Sequence, residues 1–155
     1  MAEEITVQRL KPEDIAQCET VLRSLPDWFA IEESIRAYVA SLSDLPAFVV
    51  YSRTGVIGFL AIKEHNPRAA EIHIMAVAPD SHRRGIGRLL LRHVENWLRQ
   101  RGIIWLHVKT RGSSPPDPFY ARTQCFYEAL GFDPLFETTA FWGEQDPTLV
   151  MIKRL

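Results

Sequence analysis

The period of the hydrophobic pattern changes several times along the chain, and each change marks an element. Residues 4–9 read as a short strand. Pro12-Glu13-Asp14 opens a helix to about Ser24, with proline in the first turn and acids at its positive end. Pro26 stops it, and Ile31, Ile35, Tyr38, Val39 and Leu42 then repeat at helical spacing from about Phe29 to Leu42. Residues 47–52 and 56–64 read as strands joined into a hairpin at Arg53-Thr54-Gly55. A further strand covers 70–78, a helix runs from about Gly85 to Gln100, and a strand follows Gly102 over 103–110. Asp117 caps a last helix that has Pro118 at its first position and Gly131 beyond its end. Residues 132–139 and 148–153 complete the set as strands. This order predicts an α/β chain of the α+β type, a mixed sheet of seven strands with four helices packed on it, forming one domain over 1–155.

Composition narrows the function classes. The 155 residues carry 18 Lys+Arg against 19 Asp+Glu, a formal net charge of −1, with 46% apolar and 24% charged residues. Disorder would need fewer hydrophobics and a larger net charge. A membrane span would need about 18 consecutive apolar residues, and no run approaches that. The near-zero charge argues against a protein built to coat nucleic acid. Met1-Ala2-Glu3-Glu4 is acidic where a secretory or mitochondrial leader would be basic, and Cys18 and Cys125 show no metal-ligand spacing. A cytoplasmic protein with reduced thiols and no metal is expected.

The stretch Val77-Ala78-Pro79-Asp80-Ser81-His82-Arg83-Arg84-Gly85-Ile86-Gly87-Arg88 carries the most chemistry. A strand runs through a turn into a helix, whose N-terminus offers free N–H groups and partial positive charge to a phosphate. Gly85 and Gly87 keep side chains away from those amides, and Arg83, Arg84 and Arg88 add charge. A dinucleotide fingerprint would need glycine where Leu90 stands, and no Gly-Lys-Ser/Thr ending makes a Walker loop. The other reading is a plain turn followed by a solvated arginine face, since Arg84, Arg88 and Arg92 lie at i, i+4, i+8.

The chain resembles the GNAT superfamily of acyl-CoA-dependent N-acyltransferases at this point. The family signature, Gln/Arg-x-x-Gly-x-Gly/Ala, is matched by His82-Arg83-Arg84-Gly85-Ile86-Gly87, with histidine at the usual Gln/Arg position. Phe126-Tyr127-Glu128-Ala129-Leu130-Gly131-Phe132 is similar to the helix and Gly-Phe turn of the family's C-terminal half. The resemblance implies a three-layer fold with a splay between strands four and five, and acetyl-CoA as cosubstrate. Its pantetheine would lie against backbone groups of Met75, Ala76 and Val77, its pyrophosphate on amides of residues 83–88, and Gln124 would be a further contact. Tyr127 corresponds to the family's tyrosine that donates a proton to the leaving thiolate.

Acyl transfer to an amine needs a proton acceptor, since a lysine-like amine of pKa about 10.4 is under a thousandth neutral at pH 7. Strict alternation along strand four puts Glu71, His73, Met75 and Val77 on one face and Ile72, Ile74 and Ala76 on the other. Glu71 is the first candidate base, His73 the second and His107 a distant third; each also has a structural reading as a solvated or hydrogen-bonded group. In the last helix Phe119, Phe126 and Leu130 are expected to form the core stripe, leaving Tyr127 to face the cofactor.

The amine acceptor would meet the first two helices and the C-terminal hairpin. Trp28, Phe29, Phe141 and Trp142 are placed to wall a pocket, and Asp27, Glu32 or Glu33 to attract a cationic amine. The aromatics read equally as core or as a homodimer contact. The loop 111–116 is a candidate rim. Transfer to a small-molecule or protein amine in a ternary complex is the leading function. A protein N-terminal or lysine acetyltransferase and a non-catalytic acyl-CoA-binding domain are the alternatives, with no nucleic acid and no membrane as partners.

Overall fold

The computed structural model describes residues 3–112 and 117–155; of the candidate rim at 111–116, residues 113–116 lie outside the described residues. Seven strands form one sheet in the order β1-β2-β3-β4-β5-β7-β6. They are β1 (Thr6–Arg9), β2 (Ala47–Ser52), β3 (Gly55–Asn66), β4 (Ala69–Val77), β5 (Trp105–Arg111), β6 (Asp133–Thr138) and β7 (Thr148–Arg154). Pairing is antiparallel throughout except between β4 and β5, which run parallel with α3 (Ile86–Gln100) crossing between them. The other helices are α1 (Ile15–Arg23), α2 (Glu32–Ser41) and α4 (Pro118–Ala129). Every sequence-predicted element is present, with ends moved by a few residues. The opening at Pro12 forms a separate 3₁₀ turn, Pro12–Asp14, ahead of α1.

Two apolar cores sandwich the sheet. Alternation along β2 and β3 sends Phe48, Leu60 and Ile62 to one side, against Leu90, Leu91, Val94 and Leu98 of α3. Val49, Phe59 and Ala61 go to the other side, against Val21 and Leu22 of α1 and Ile35 of α2. This is the three-layer arrangement expected. The chain is pinned at Asp117, whose carboxylate accepts from the Phe119 and Tyr120 amides at 2.9 and 3.4 Å to cap α4. No helix among the described residues is long and apolar enough to cross a membrane.

Candidate active site

β4 and β5 pair only from Ala69–Ile72 to Trp105–Val108. Beyond Ile72 the strands part, so His73–Val77 have no ladder partner on β5. A cleft of about 580 Å³ opens there, lined by β4 and β5, by α4, by the start of α3 and by Trp28 and Phe29. A gap between two parallel strands leaves backbone donors and acceptors facing into it, which a bound chain can use.

Alternation along β4 breaks at His73. Ile74 stands opposite Ala61 and Ile72 opposite Ile62, so His73 is the extra residue of a β-bulge. The bulge exchanges faces. Ala70, Ile72, Met75 and Val77 belong to the core under α3, and Ile74 and Ala76 to the core under α1 and α2. The expectation of one uninterrupted face from Glu71 to Val77 therefore fails, because one inserted residue reverses every side chain beyond it.

His73 and Glu71 stay close enough for the carboxylate to act on the imidazole, yet only His73 reaches the cleft. His73 lines the cleft, its ring edge-on to Tyr38 at 5.5 Å. Burial lowers the His73 pKa below the usual imidazole value; Glu71 opposes this, and Lys63 and Lys109 add to it. Glu71 is buried and does not line the cleft. Its carboxylate lies 3.5 Å from Lys109 Nζ, 3.7 Å from His65 Nε2 and 3.9 Å from His107 Nε2. His107 also stays out of the cleft. Lys109 does reach the cleft, its ammonium 4.2 Å from the centre of the Phe141 ring.

The turn from β4 into α3 is held by backbone geometry. Pro79–Ser81 make a 3₁₀ turn, and Arg83 and Gly85 take left-handed φ values of 62° and 76°. Among the described residues nothing lies within 4 Å of a Cβ built on Gly85, so its glycine serves the backbone conformation. Gly87 serves space: a Cβ there would meet Phe126 at 3.0 Å and the Met75 methyl at 3.1 Å. No side chain caps α3, so the amides of its first turn remain open at the cleft end. Arg83 and Arg88 line that end, while Arg84 is drawn off to Glu3 at 2.7 Å. Ile86 is buried beneath. His82 contributes through its ring, with Nε2 2.7 Å from the Val77 carbonyl oxygen.

On α4 Phe126 and Leu130 pack against the core under α3, and Tyr127 lines the cleft but is more deeply buried than they are. Tyr127 is the buried residue of that helix, wedged between the Phe126 and Phe132 rings at 5.2 and 5.3 Å, and Phe126 and Leu130 are half-buried. α4 covers the open part of the splay, so its inward side meets the cleft as well as core, and Tyr127 touches both. Its hydroxyl points toward Met75 Sδ at 4.0 Å, and burial raises the phenol pKa far above its ordinary value. Gln124 is not a lining residue; its amide donates to the Arg111 carbonyl at 3.0 Å and ties α4 to β5.

Trp28, Phe29 and Trp142 line the cleft as expected, and Glu32 does not. Glu32 is held by Arg23 at 2.8 Å and Arg36 at 3.1 Å, and the Arg23 hydrogen bonds lead in pushing its pKa down to about 2. Trp28 crosses from the α1–α2 connection to α4: its indole donates to Thr123 Oγ1 at 3.1 Å and its carbonyl accepts from Tyr120 Oη at 2.9 Å. Tyr38, Lys109, Tyr120 and Arg122 are lining residues that sequence reasoning did not select. Tyr38 lay within the apolar repeat of α2, and the others lacked any motif.

A family model described as an acetyltransferase (GNAT) domain matches residues 43–134, the span that holds the splay, the turn and all of α4. The chain belongs to that family. The ribosomal protein bS18-alanine N-acetyltransferase of Salmonella typhimurium is 39% identical over 64 residues, 41% of this chain and 39% of that protein. The match thus spans less than half of that relative. Among solved structures, a GNAT-family protein from Desulfovibrio desulfuricans superposes with a TM-score of 0.85 at 20% identity, covering 97% of this chain and 99% of that one. The PaiA N-acetyltransferase from Thermoplasma acidophilum, solved with coenzyme A, gives 0.77 at 20% identity, covering 98% and 99%. At these identities the structures show a common fold.

Proposed function

We propose that the chain, acting as one unit over 1–155, transfers the acetyl group of acetyl-CoA to a primary amine by direct transfer in a ternary complex. The observation that carries this reading is the β4–β5 splay. It opens an elongated apolar cleft with uncapped amides, Arg83 and Arg88 at one end and His73 and Tyr127 inside. The residues fit coenzyme A. Two cations and the first turn of α3 suit a pyrophosphate, Gly87 leaves room beside Phe126, and the free edge of Met75, Ala76 and Val77 suits an amide-bearing arm.

Acetyl-CoA supplies an activated thioester carbonyl. The amine nitrogen forms a bond to that carbon as the carbon–sulfur bond breaks, and β4 amides facing the cleft stabilise the developing oxygen charge. His73 receives the amine proton, because it lines the cleft and Glu71 does not. Tyr127 is fully protonated under these conditions and donates to the departing sulfur. Trp28, Phe29 and Trp142 line the cleft, which favours the pocket reading of these aromatics over a dimer contact. The bS18-alanine relative makes a protein N-terminal amine the second reading of the acceptor.

Calorimetry with CoA and acetyl-CoA, followed by thiol release across a panel of small amines and Ala-initiated peptides, tests both parts. Expected are micromolar cofactor binding, its loss in Gly87→Glu, and a Tyr127→Phe variant that binds CoA normally yet turns over about a hundredfold more slowly. Normal binding with no thiol release from any amine would leave a non-catalytic acyl-CoA-binding domain. No binding would remove the cofactor.

A further inference from the structure

At the paired end of the splay, behind the cleft, three adjacent strands deliver three metal-ligating side chains to one point. Glu71 of β4 stands directly opposite His107 of β5 in the parallel register. On the other flank the β3–β4 register slips between Glu64 and Asn66, so His65 is the extra residue of a second bulge. Its Nε2 comes within 2.8 Å of His107 Nε2 and 3.7 Å of Glu71 Oε1, and His107 Nε2 lies 3.9 Å from Glu71 Oε2. We propose that His65, Glu71 and His107 bind a divalent transition-metal ion of the zinc class.

Three observations converge on this. The donor set, two imidazoles and a carboxylate, suits zinc and leaves a further position for water. One donor atom from each side chain lies within 4.8 Å of the other two, against an edge of about 3.4 Å for a tetrahedron with metal–donor distances near 2.1 Å. Side-chain rotations that part the two imidazoles and draw the carboxylate in close the site. Finally, the Glu71 side chain is only 6% exposed, yet Lys109 and the two imidazoles stand at 3.5 to 3.9 Å, none at the length of a good hydrogen bond. A buried carboxylate so loosely held gains most from an ion between it and the two imidazoles.

Lys109 sets the affinity. Its ammonium lies 3.5 Å from Glu71 Oε2, on the oxygen farther from His65, and is held over Phe141. A cation there repels the metal, so the ion binds more tightly without the lysine charge.

The experiment is calorimetry and thermal unfolding of the chelator-treated full chain with zinc chloride alone, without CoA. One zinc per chain and a raised unfolding temperature are expected. The exposed His65 allows His65→Gln to fold normally, with zinc affinity lowered at least about tenfold. Lys109→Met is expected to bind zinc several-fold more tightly. No saturable binding in the micromolar range overturns the site. So does unchanged affinity in His65→Gln, which would assign the bound zinc to other surface histidines or to Cys125.

Discussion

His82 Nε2 lies 2.7 Å from the carbonyl oxygen of Val77, the last residue of β4. One side chain thereby ties the end of the central strand to the turn that opens α3, and its ring also meets Trp28 edge-on at 5.9 Å. The residue at the start of the Gly-x-Gly turn acts here as a brace, with its polar atom spent on the backbone.

Replacing that brace has a bounded cost. His82→Ala is expected to lower stability by about 0.5–1.5 kcal/mol, the net worth of one hydrogen bond on an exposed residue. CoA affinity should fall with it, because the turn that presents the α3 amides is no longer fixed. His82→Gln, whose amide can donate to the same carbonyl, should recover most of both. Denaturant midpoints and CoA calorimetry on the two variants check this. An Ala variant with unaltered CoA affinity would show that the turn holds its shape without the ring.

Gly85 and Gly87, two residues apart, should respond oppositely to alanine. At Gly85 the strain lies in the backbone, φ 76° with open space around a Cβ, so Gly85→Ala costs about 1–2 kcal/mol of stability. At Gly87 the conflict is with Phe126 at 3.0 Å and Met75 at 3.1 Å, so Gly87→Ala pushes the ring into the cleft. Cofactor affinity is then expected to drop more than stability does. Thermal melts set beside CoA titrations separate the two effects.

The element order, the α4 cap at Asp117 and the phosphate turn were legible from spacing and capping residues, because these are local effects of propensity and chain stiffness. The splay gave no local signal; it arises where β5 leaves β4 after Ile72 and Val108. Both bulges were likewise invisible. A period-2 reading of Ala69–Val77 has no means of detecting one inserted residue, and so it placed Met75 and Val77 on one face with Glu71. Nor did helical spacing show that Tyr127 would be the most buried residue of α4, a helix whose inward side faces an opening as well as core. The charge pairs that remove Arg84 and Glu32 from the site, with Glu3 and with Arg23 and Arg36, depend on side-chain placement.

The two cysteines should differ sharply in reactivity. Cys18 is fully buried on α1, and burial, with the nearby Asp14 charge adding to it, pushes its thiol up to about 12. Cys125 is exposed on α4. A thiolate-seeking reagent at neutral pH is expected to modify one thiol per native chain and two after denaturation, since reactivity follows exposure and thiolate fraction. Peptide mapping that finds Cys18 modified in the native chain would mean that α1 opens readily from the sheet.

That His73 lines the cleft while Glu71 does not makes the assignment of the base testable by two variants. His73→Ala removes the imidazole that lines the cleft, and turnover should fall about a hundredfold or more with CoA binding retained. Glu71→Gln acts elsewhere. It takes the charge from a carboxylate set among Lys109, His65 and His107, so stability should fall by about 1–3 kcal/mol. Turnover should fall less than in His73→Ala, because Glu71 reaches the cleft only through its neighbours. An inactive Glu71→Gln of normal stability beside an active His73→Ala would transfer the proton-accepting role to the carboxylate, acting through water that enters beside Lys109.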